Sequence, residues 1–409
     1  MHPIGKMENY ELISNKLKKY NQEQILDYID KLDDKQKAEI EEQILKLDFD
    51  LITKLYEGTK TKQEINQSEI EPINYINKAK LTDSEKEELE AIGADIIKNN
   101  QYAIVTMAGG QGTRLGFNGP KGTFKLDIGK KGKYIFEILA DTIKKSKEQY
   151  GTLPYWYIMT SIQNNDQTIE FFKEHNYFDY PKEKIKFFIQ GTLPMLTPEG
   201  KMVIEDNKIK TASDGNGGVY LSLKNEKMIE DMKSKNIKWV YICGVDNIMV
   251  KPIDGIFIGL TIKNNMQIAS KSVAKAYPEE KVGVYCKRNG KPSIVEYIEL
   301  SEQMRTLKNE SGDLAYGEAN IISHLLSVDA IEKISNETLK YHLAIKNNLY
   351  KFEAFIFDGF EFLNDMLVMR VKREEEFAPI KNKEGLDSPE TAKEIYERNL
   401  VKNGRIWDK

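Results

Sequence analysis

Glycines cluster with two cations in one short stretch of the chain, MAGGQGTRLGFNGPKG, residues 107–122. Glycine removes side chains where the backbone must approach a ligand, and Arg114 and Lys121 offer donors to phosphate. The stretch lacks the Lys-Ser/Thr pair of a P-loop, and Leu115 stands where a GxGxxG motif counted from Gly110 needs its third glycine. We therefore expect a phosphate-binding loop of another kind, with a glycine-rich surface turn as the structural alternative.

A carboxylate, Asp246, follows the apolar run YIC in the segment YICGVDN. Ligands of open parallel sheets lie at the carboxyl ends of strands, and Mg²⁺ prefers carboxylate oxygens there, where it can bridge phosphates. Asp246 is therefore the candidate metal ligand, and Asp358 in FIFDGF is a second candidate. The alternative for Asp246 is a turn cap formed together with Asn247.

Two further positions suit contact with a base. Gln190 ends a strand-like run at IQGTLP, and its side-chain amide carries both the donor and the acceptor that a uracil edge requires. Gly215, in SDGNGG, would let the backbone approach the base. Turn formation is the alternative at both positions.

Short apolar runs separated by amphipathic stretches must position these residues. The runs expected to be strands are YAIVTM (102–107), PYWYIMT, KIKFFIQ, KWVYICG and QIASKSV. Such alternation predicts an α/β fold with a doubly wound, mostly parallel sheet. We expect a helical N-terminal region over 1–98, a Rossmann-like catalytic domain over 99–335 and a small mixed C-terminal domain over 336–409.

Local signals mark two element boundaries. Thr82 with Glu85 three residues later predicts a capping box at the start of a helix that ends near Asn99. Asn289-Gly290 predicts a tight hairpin turn between two strand-like runs.

Composition excludes several classes of function. Sixty Lys and Arg residues nearly balance 64 Asp and Glu residues, so no bulk field favours nucleic acid or a membrane surface. The two cysteines, Cys243 and Cys286, lack CxxC spacing, and the four histidines are scattered, which disfavours disulfide and zinc frameworks. No signal peptide or apolar run of membrane-spanning length is present, so we expect a cytoplasmic protein.

The loop GGxGTRLGxxxPK resembles that of the eukaryotic-type UDP-sugar pyrophosphorylases. Residues 80–409 are most similar to their UDP-N-acetylhexosamine branch. The segments that carry the resemblance are PYWYIMTS, IQGTLPMLTPEGK, SDGNGGVY, CGVDNIMVK, VEYIEL, FIFD and EEFAPIKN. The resemblance implies a Rossmann-like nucleotidyltransferase that joins UTP and N-acetyl-α-D-glucosamine 1-phosphate, giving UDP-N-acetylglucosamine and diphosphate with Mg²⁺ and no covalent intermediate.

By resemblance, the catalytic cations are Arg114 and Lys121 beside the triphosphate and Lys381 beside the sugar phosphate. The nucleotide contacts are then Gly109, Gly110, Lys121, Gln190 and Gly215, and Asp246 holds the metal. The implied sugar contacts are Asn216, Glu296, Tyr297, Asn320, Phe357 and Lys381. Each of two residues also has a purely structural alternative. Glu296 would be an exposed strand residue, and Lys381 would be a solvated surface lysine.

Phe355 and Phe357 are spaced by two, so on a strand both rings would lie on one face. There they could form an apolar surface against the methyl group of the sugar's acetamido substituent. Core packing is the alternative. The chain has Ala319 where the family usually has glycine before the sugar-binding asparagine, and its methyl could tighten the hexose site. Two other functions stay open: a UDP-glucose or broad UDP-sugar pyrophosphorylase, and a non-catalytic UDP-sugar sensor.

Overall fold

The computed structural model of the chain describes residues 3–61 and 69–402, with side chains from residue 9 onward. Its helices, in chain order, are α1 (Pro3–Lys19), α2 (Gln24–Ile29), α3 (Asp34–Lys46), α4 (Phe49–Gly58), α5 (Asp83–Lys98), α6 (Ile135–Tyr150), α7 (Asn165–Glu174), α8 (Val219–Asn225), α9 (Met228–Ser234), α10 (Gly255–Lys263), α11 (Glu302–Thr306), α12 (Val328–Ser335), α13 (Arg373–Glu376) and α14 (Pro389–Lys402). None of these helices is long and apolar enough to cross a membrane.

The strands of the same residues are β1 (Ile70–Pro72), β2 (Ile76–Asn77), β3 (Tyr102–Met107), β4 (Lys125–Leu126), β5 (Lys133–Tyr134), β6 (Tyr155–Thr160), β7 (Ile185–Ile189), β8 (Thr192–Pro194), β9 (Ile204–Glu205), β10 (Lys208–Ile209), β11 (Thr211–Ser213), β12 (Trp239–Gly244), β13 (Ile268–Ala274), β14 (Val284–Arg288), β15 (Lys291–Val295), β16 (Glu318–Ser327), β17 (His342–Lys346), β18 (Leu349–Glu353) and β19 (Leu367–Arg370).

The described residues group into two compact units, neither continuous in sequence. The smaller unit takes residues within 1–64, 191–218 and 339–355, and the larger takes those within 65–190, 219–338 and 356–409. The predicted region 336–409 is thus shared between the two units. The three consecutive domains stay a prediction.

The larger unit is built on an eleven-stranded sheet of the described residues, with the main order β2-β19-β13-β16-β12-β3-β6-β7. Strand β3 is parallel to β6 and β12, and β6 is parallel to β7. All six residues of β3 are buried, as expected for a parallel strand covered on both faces. The predicted α/β fold with a mostly parallel sheet is confirmed, and β16 is its long antiparallel member.

Local predictions in the larger unit are also confirmed. Thr82 and Glu85 form the capping box of α5, with mutual side-chain to backbone hydrogen bonds of 3.2 and 2.7 Å. Strands β14 and β15 form the expected hairpin, and Asn289 and Gly290 both have positive φ in its turn. Both features were predictable because the residues that form them are neighbours in the sequence.

Residues 70–77 depart from the predicted helical N-terminal region. They form β1 and β2, which pair with β14 and β19, strands far along the chain. Ile70 is buried in a small apolar cluster with Val284 and Val295. The strand conformation therefore depends on distant partners, which local helical periodicity does not reveal.

The smaller unit joins α1–α4 to three short antiparallel strand pairs, β8 with β11, β9 with β10 and β17 with β18. Its own core contains Leu17, Ile40 and Ile44 from the helices and Leu196 and Phe352 from the strand segments. The apolar stripes of the N-terminal helices therefore face this core.

A fully buried histidine lies in β16 of the larger unit. His324 shares a 2.7 Å hydrogen bond between its Nδ1 and Ser270 Oγ, and its Nε2 has no partner among the described residues. Burial lowers the pKa of His324 to about 3. The folded protein therefore holds this ring neutral across the physiological range.

This depressed pKa makes the free energy of unfolding depend on pH. The unfolded chain binds a proton near pH 6.5 and the folded chain only near 3. The free energy of unfolding therefore decreases as pH falls between these values, by at most about 1.4 kcal/mol per pH unit. Urea unfolding at pH 7, 5.5 and 4.5 should show a shallower decline for His324→Gln than for wild type. His175→Gln, at a half-buried position directly after α7, is the matched control. Equal declines in wild type and His324→Gln would contradict the assignment.

Candidate active site at the carboxyl edge of the sheet

The glycine-rich loop leaves the carboxyl end of β3 and closes on itself through its backbone. The amide of Gly112 donates to the carbonyl of Gly119 (2.9 Å), and the amide of Lys121 donates to the carbonyl of Gly110 (3.1 Å). A bridge between Gln111 and Pro120 completes the closure. The backbone of the loop is therefore closed and defined, and phosphate binding by it stays a prediction.

Lys121 and Asp246 meet in an ion pair at this edge. The Lys121 Nζ lies 2.7 Å from Asp246 Oδ1, and the two side chains are 11% and 40% exposed. The pair follows from topology, because β3 and β12 are parallel neighbours with Met107 opposite Gly244. The segments that follow both strands therefore leave the sheet side by side.

Asp246 also belongs to a backbone pairing with the segment that carries Lys381. The carbonyl of Asp246 accepts a hydrogen bond from the Ile380 amide (2.9 Å), and the Ala378 carbonyl accepts one from the Ile248 amide (3.3 Å). The candidate metal ligand and the candidate sugar-phosphate lysine are therefore tied to each other through adjacent backbone.

The side chain of Asn247 holds this pairing together. Its Oδ1 accepts from the amides of Met249 (3.0 Å) and Ala378 (2.9 Å), and its Nδ2 donates to the carbonyl of Glu376 (2.7 Å). Asn247 is buried. The sequence suggested only a turn partner for Asp246 here. Two of the three partners of Asn247, Ala378 and Glu376, lie 131 and 129 residues away and left no local signal.

A buried charge network supports the same segment. The Nζ of Lys271, fully buried in β13, lies 2.6 Å from Glu376 Oε1 and 2.8 Å from Asp254 Oδ2. Lys78 adds a second cation 2.9 Å from Asp254 Oδ2. Paired in this way, the buried charges fix Glu376, whose carbonyl receives the Asn247 amide.

Arg114 and Lys381 lie at the exposed side of the site. Arg114 Nη2 donates to Asn382 Oδ1 (2.8 Å), so the glycine-rich loop contacts the residue next to Lys381. The amides of Lys381 and Asn382 both donate to the Asp387 carbonyl (2.6 and 3.0 Å). The Lys381 side chain is exposed and has no recorded partner in the described parts of the chain.

Gln190 lies beside the loop, immediately after β7. A methyl group built at Gly109 would come within 2.6 Å of Gln190 Oε1, so the absence of a side chain at Gly109 makes room for this amide. Gln190 itself is buried, and its backbone N–H donates to the Thr160 carbonyl (2.8 Å). The two predicted nucleotide contacts are therefore neighbours.

The predicted sugar contacts Glu296 and Asn320 lie close to each other. The backbone N–H of Asn320 donates to the Gly283 carbonyl (2.9 Å), and a methyl built at Gly283 would lie 3.3 Å from Glu296 Oε1. Because β16 is antiparallel to β12, with Ser323 opposite Cys243, Asn320 lies toward the same sheet edge as Asp246.

Two residues beside this pair, Tyr297 and Ala319, have protein contacts of their own. Tyr297 begins a short 3-10 helix after β15, and its ring stacks under the guanidinium of Arg305 at 4.2 Å. Ala319 is buried in the main core, so its methyl lies on the opposite face of β16 from Asn320. The expected tightening of the hexose site by that methyl is therefore wrong.

The strand expected over Phe355 and Phe357 does not form. Strand β18 ends at Glu353, and Phe357 lies within a 3-10 helix, Ile356–Phe362. A spacing of two therefore does not put both rings on one face. Phe355 packs its ring 5.1 Å from that of His342 within the smaller unit.

Gly215 and Asn216 belong to the smaller unit. Gly215 has φ +86°, and a methyl built there would come within 2.1 Å of the Ala354 carbonyl oxygen. The Gly217 amide donates to the same oxygen (2.9 Å), so this glycine-rich segment is packed tightly against the backbone after β18. Only glycine fits at position 215.

Comparisons with known proteins agree with this geometry. Residues 45–388 match the family model described as UTP–glucose-1-phosphate uridylyltransferase. The chain belongs to this family.

The names of individual relatives specify a different sugar from the description of the family model, N-acetylglucosamine. It is 35% identical to UDP-N-acetylglucosamine diphosphorylase 2 of Arabidopsis thaliana, over 94% of this chain and 82% of that protein. It is 36% identical to UDP-N-acetylglucosamine pyrophosphorylase of Saccharomyces cerevisiae, over 83% and 76%. The crystal structure of the Trypanosoma brucei UDP-N-acetylglucosamine pyrophosphorylase with an inhibitor is 27% identical, with a TM-score of 0.82 over 95% of this chain and 84% of that one.

In this uridylyltransferase family member, Asn247 should be a positioning residue. Asn247→Asp keeps the acceptors for Met249 and Ala378 but places a carboxylate against the Glu376 carbonyl, which loses its donor. We expect a cost of about 1 to 3 kcal/mol in stability and a fall in kcat. Thermal unfolding and steady-state kinetics measure both.

Asn264→Asp is the matched control, because Asn264 donates only to the Leu260 carbonyl at the end of α10. An Asn247→Asp variant with wild-type kcat and stability would show that the pairing does not depend on this side chain.

Proposed function

We propose that the chain is a uridylyltransferase that converts UTP and N-acetyl-α-D-glucosamine 1-phosphate to UDP-N-acetylglucosamine and diphosphate. The observation that carries the proposal is the Lys121–Asp246 pair at the carboxyl edge of β3 and β12, next to a closed glycine-rich loop. The names of the relatives support the N-acetylglucosamine substrate.

The charges of the site suit two anionic substrates. In this reaction an oxygen of the sugar phosphate attacks the α-phosphorus of UTP while diphosphate leaves, so negative charge increases around one phosphorus. Arg114 and Lys121 would stabilise the triphosphate and Lys381 the sugar phosphate, with donors from Gly109 and Gly110. Such a reaction is accelerated mainly by holding the two anions in line and by placing positive charge where negative charge increases.

The described side chains near Asp246 offer no activated nucleophile. Burial raises the pKa of the Cys243 thiol, three residues before Asp246, to about 12, so the thiol stays protonated. The described histidine of the central sheet, His324, is buried and neutral. These features support direct, in-line transfer without a covalent intermediate.

Asp246 fits a Mg²⁺ ion that completes its coordination with substrate. Its carboxylate is 40% exposed and pairs with Lys121 through one oxygen, leaving the other without a hydrogen-bond partner among described residues. No group of three or more acidic, histidine or cysteine side chains there could cage a metal alone, and Mg²⁺ commonly takes one or two carboxylates plus substrate phosphates. When bound, Mg²⁺ would supply positive charge that neutralises the phosphates. Asp246 would then bind the ion, and Lys121 beside it would contact the triphosphate.

The uridine and sugar contacts are proposed from the resemblance. Gln190 would pair with the uracil edge, and Gly215 would approach the base. For the sugar, the proposed contacts are Asn216, Glu296, Tyr297, Asn320, Phe357 and Lys381. The Asn320 side-chain amide and the Glu296 carboxylate, both close to Gly283, support recognition of hydroxyl groups.

We place the enzyme in the cytoplasm, with small-molecule substrates and neither nucleic acid nor membrane as a partner. Both cysteines are free and buried, as expected in a reducing compartment. The near balance of 60 basic and 64 acidic residues supports the absence of polyanionic partners.

The function is tested by measuring diphosphate release from UTP with a panel of sugar 1-phosphates. N-acetylglucosamine 1-phosphate should give the highest kcat/KM. The second candidate, a UDP-glucose pyrophosphorylase, is favoured only by the description of the family model. Higher kcat/KM with glucose 1-phosphate would replace the first candidate by the second, and no diphosphate release with any sugar 1-phosphate would refute both.

If Asp246 binds Mg²⁺, the Asp246→Asn variant should lose Mg²⁺-dependent activity. The amide has the same shape but no charge, so it binds a hard cation poorly and no longer pairs with Lys121. We expect kcat to fall by about 100-fold or more, with a higher Mg²⁺ concentration required for half-maximal rate. Steady-state rates across a Mg²⁺ titration measure both.

Asp141→Asn is the control, because Asp141 also pairs with lysines, Lys133 and Lys144, at 2.8 and 3.1 Å. Retention of the wild-type rate and Mg²⁺ requirement in Asp246→Asn would remove Asp246 from the site.

A further inference from the structure

Asn320 lies at an irregularity in β16. Opposite β13, Ser270 faces His324 and Ser272 faces Asn320, so the single residue Lys271 faces three residues of β16. Ile322, in the middle of these three, has φ +53°, a conformation that β-branched residues rarely adopt. Bulges of this kind are frequent next to active sites, where they redirect a side chain.

The bulge fixes the orientation of the Asn320 side chain. The Ile322 amide donates to Asn320 Oδ1 (2.9 Å), and the hydroxyl of Tyr285 donates to the same oxygen (2.9 Å). A backbone N–H can only donate, so the side-chain atom that faces it must be the oxygen rather than the nitrogen. Both acceptor sites of Oδ1 are then used.

The other end of the amide points to no protein acceptor. Within residues 3–61 and 69–402, no hydrogen bond from Asn320 Nδ2 is recorded, and the residue is half-buried. Asn320 therefore presents two N–H donors and no free acceptor to a ligand. Its neighbour Glu296 presents carboxylate oxygens, which when ionised only accept.

We propose that Tyr285 and the Ile322 bulge lock Asn320 as a donor, so that the sugar atom it recognises is an acceptor oxygen, and that Tyr285 is thereby a positioning residue for sugar specificity. The proposal rests on the proposed function. The acceptor is either a ring hydroxyl oxygen or the carbonyl oxygen of the acetamido group, since both offer lone pairs. A hydroxyl proton or the acetamido N–H would instead be received by a group such as Glu296.

Tyr285 is suited to this role by its surroundings. It is 1% exposed, and burial raises the pKa of its phenol well above the ordinary value, so the hydroxyl keeps its proton. Its hydroxyl also makes a long 3.5 Å hydrogen bond to the Lys271 carbonyl and interacts with the Ser270 side chain. Its ring lies edge-on to that of His324 at 6.5 Å, a contact that phenylalanine would keep. Removal of the hydroxyl should thus act mainly on Asn320.

The test compares the affinities of UDP-N-acetylglucosamine and UDP by calorimetry, because only the first contains the sugar. Tyr285→Phe removes one of the two donors to Oδ1 and should weaken UDP-N-acetylglucosamine about 3- to 10-fold. Asn320→Asp keeps the shape and the Oδ1 acceptor but replaces the donor by an acceptor, and should weaken it by at least about 10-fold. UDP affinity should be unchanged in both.

Tyr316→Phe is the matched control. Tyr316 is also a buried tyrosine of the larger unit, but its hydroxyl donates to the Ile70 carbonyl (3.1 Å), away from Asn320. It should leave both affinities unchanged. Thermal unfolding of all three variants shows whether each is folded at the temperature of measurement.

UDP-glucose distinguishes the two possible acceptors. If the acceptor is the acetamido carbonyl, Asn320→Asp leaves UDP-glucose affinity unchanged; if it is a ring hydroxyl, UDP-glucose weakens as UDP-N-acetylglucosamine does. Unchanged UDP-N-acetylglucosamine affinity in Asn320→Asp, or equal weakening of UDP, overturns the proposal. Diphosphate release by wild type separates this failure from that of the proposed function, which fails if wild type prefers glucose 1-phosphate or is inactive with every sugar 1-phosphate.

Discussion

The parallel pairing of β3 with β12 is the constraint on which the site depends. It places the glycine-rich loop and the Asp246 turn at one sheet edge, where Lys121 and Asp246 form their 2.7 Å ion pair. Because Lys121 is only 11% exposed, solvent screens this pair less than it would a surface pair. Opposite charges are thus fixed before any substrate binds, which lowers the reorganisation needed during reaction.

Neighbouring segments hold the other candidate site residues in position around the Lys121–Asp246 ion pair. Asn247 ties the Asp246 turn to the segment that leads to Lys381, and the Lys271–Glu376 pair anchors that segment from inside the sheet. On the next strand, the bulge at Ile322 turns the Asn320 amide. The Lys381 segment and the Asn320 side chain, both proposed to contact the substrate, are therefore held in place by hydrogen bonds and a buried ion pair.

The sequence predicted what is encoded locally. The buried run of β3, the capping box at Thr82 and the Asn289-Gly290 turn each carry their own signal, and the order of motifs identified the family. Pairing across the fold could not be predicted in this way. Strands β1 and β2 pair with strands far along the chain, and the contacts of Asn247 with Ala378 and Glu376 and of Asn320 with Tyr285 join distant residues. At Phe357, spacing suggested a strand, but the chain turns into a 3-10 helix after Glu353.

The central claim is that fixed charges align UTP and the sugar phosphate for a single displacement, with no covalent uridylyl-enzyme. The stereochemistry at the α-phosphorus tests it most directly. UTP with sulfur in place of one α-phosphate oxygen, in one known configuration, is converted with N-acetylglucosamine 1-phosphate, and the configuration of the product is determined by phosphorus NMR. A single in-line displacement predicts inversion. Retention would require two displacements through a covalent intermediate and would contradict the account.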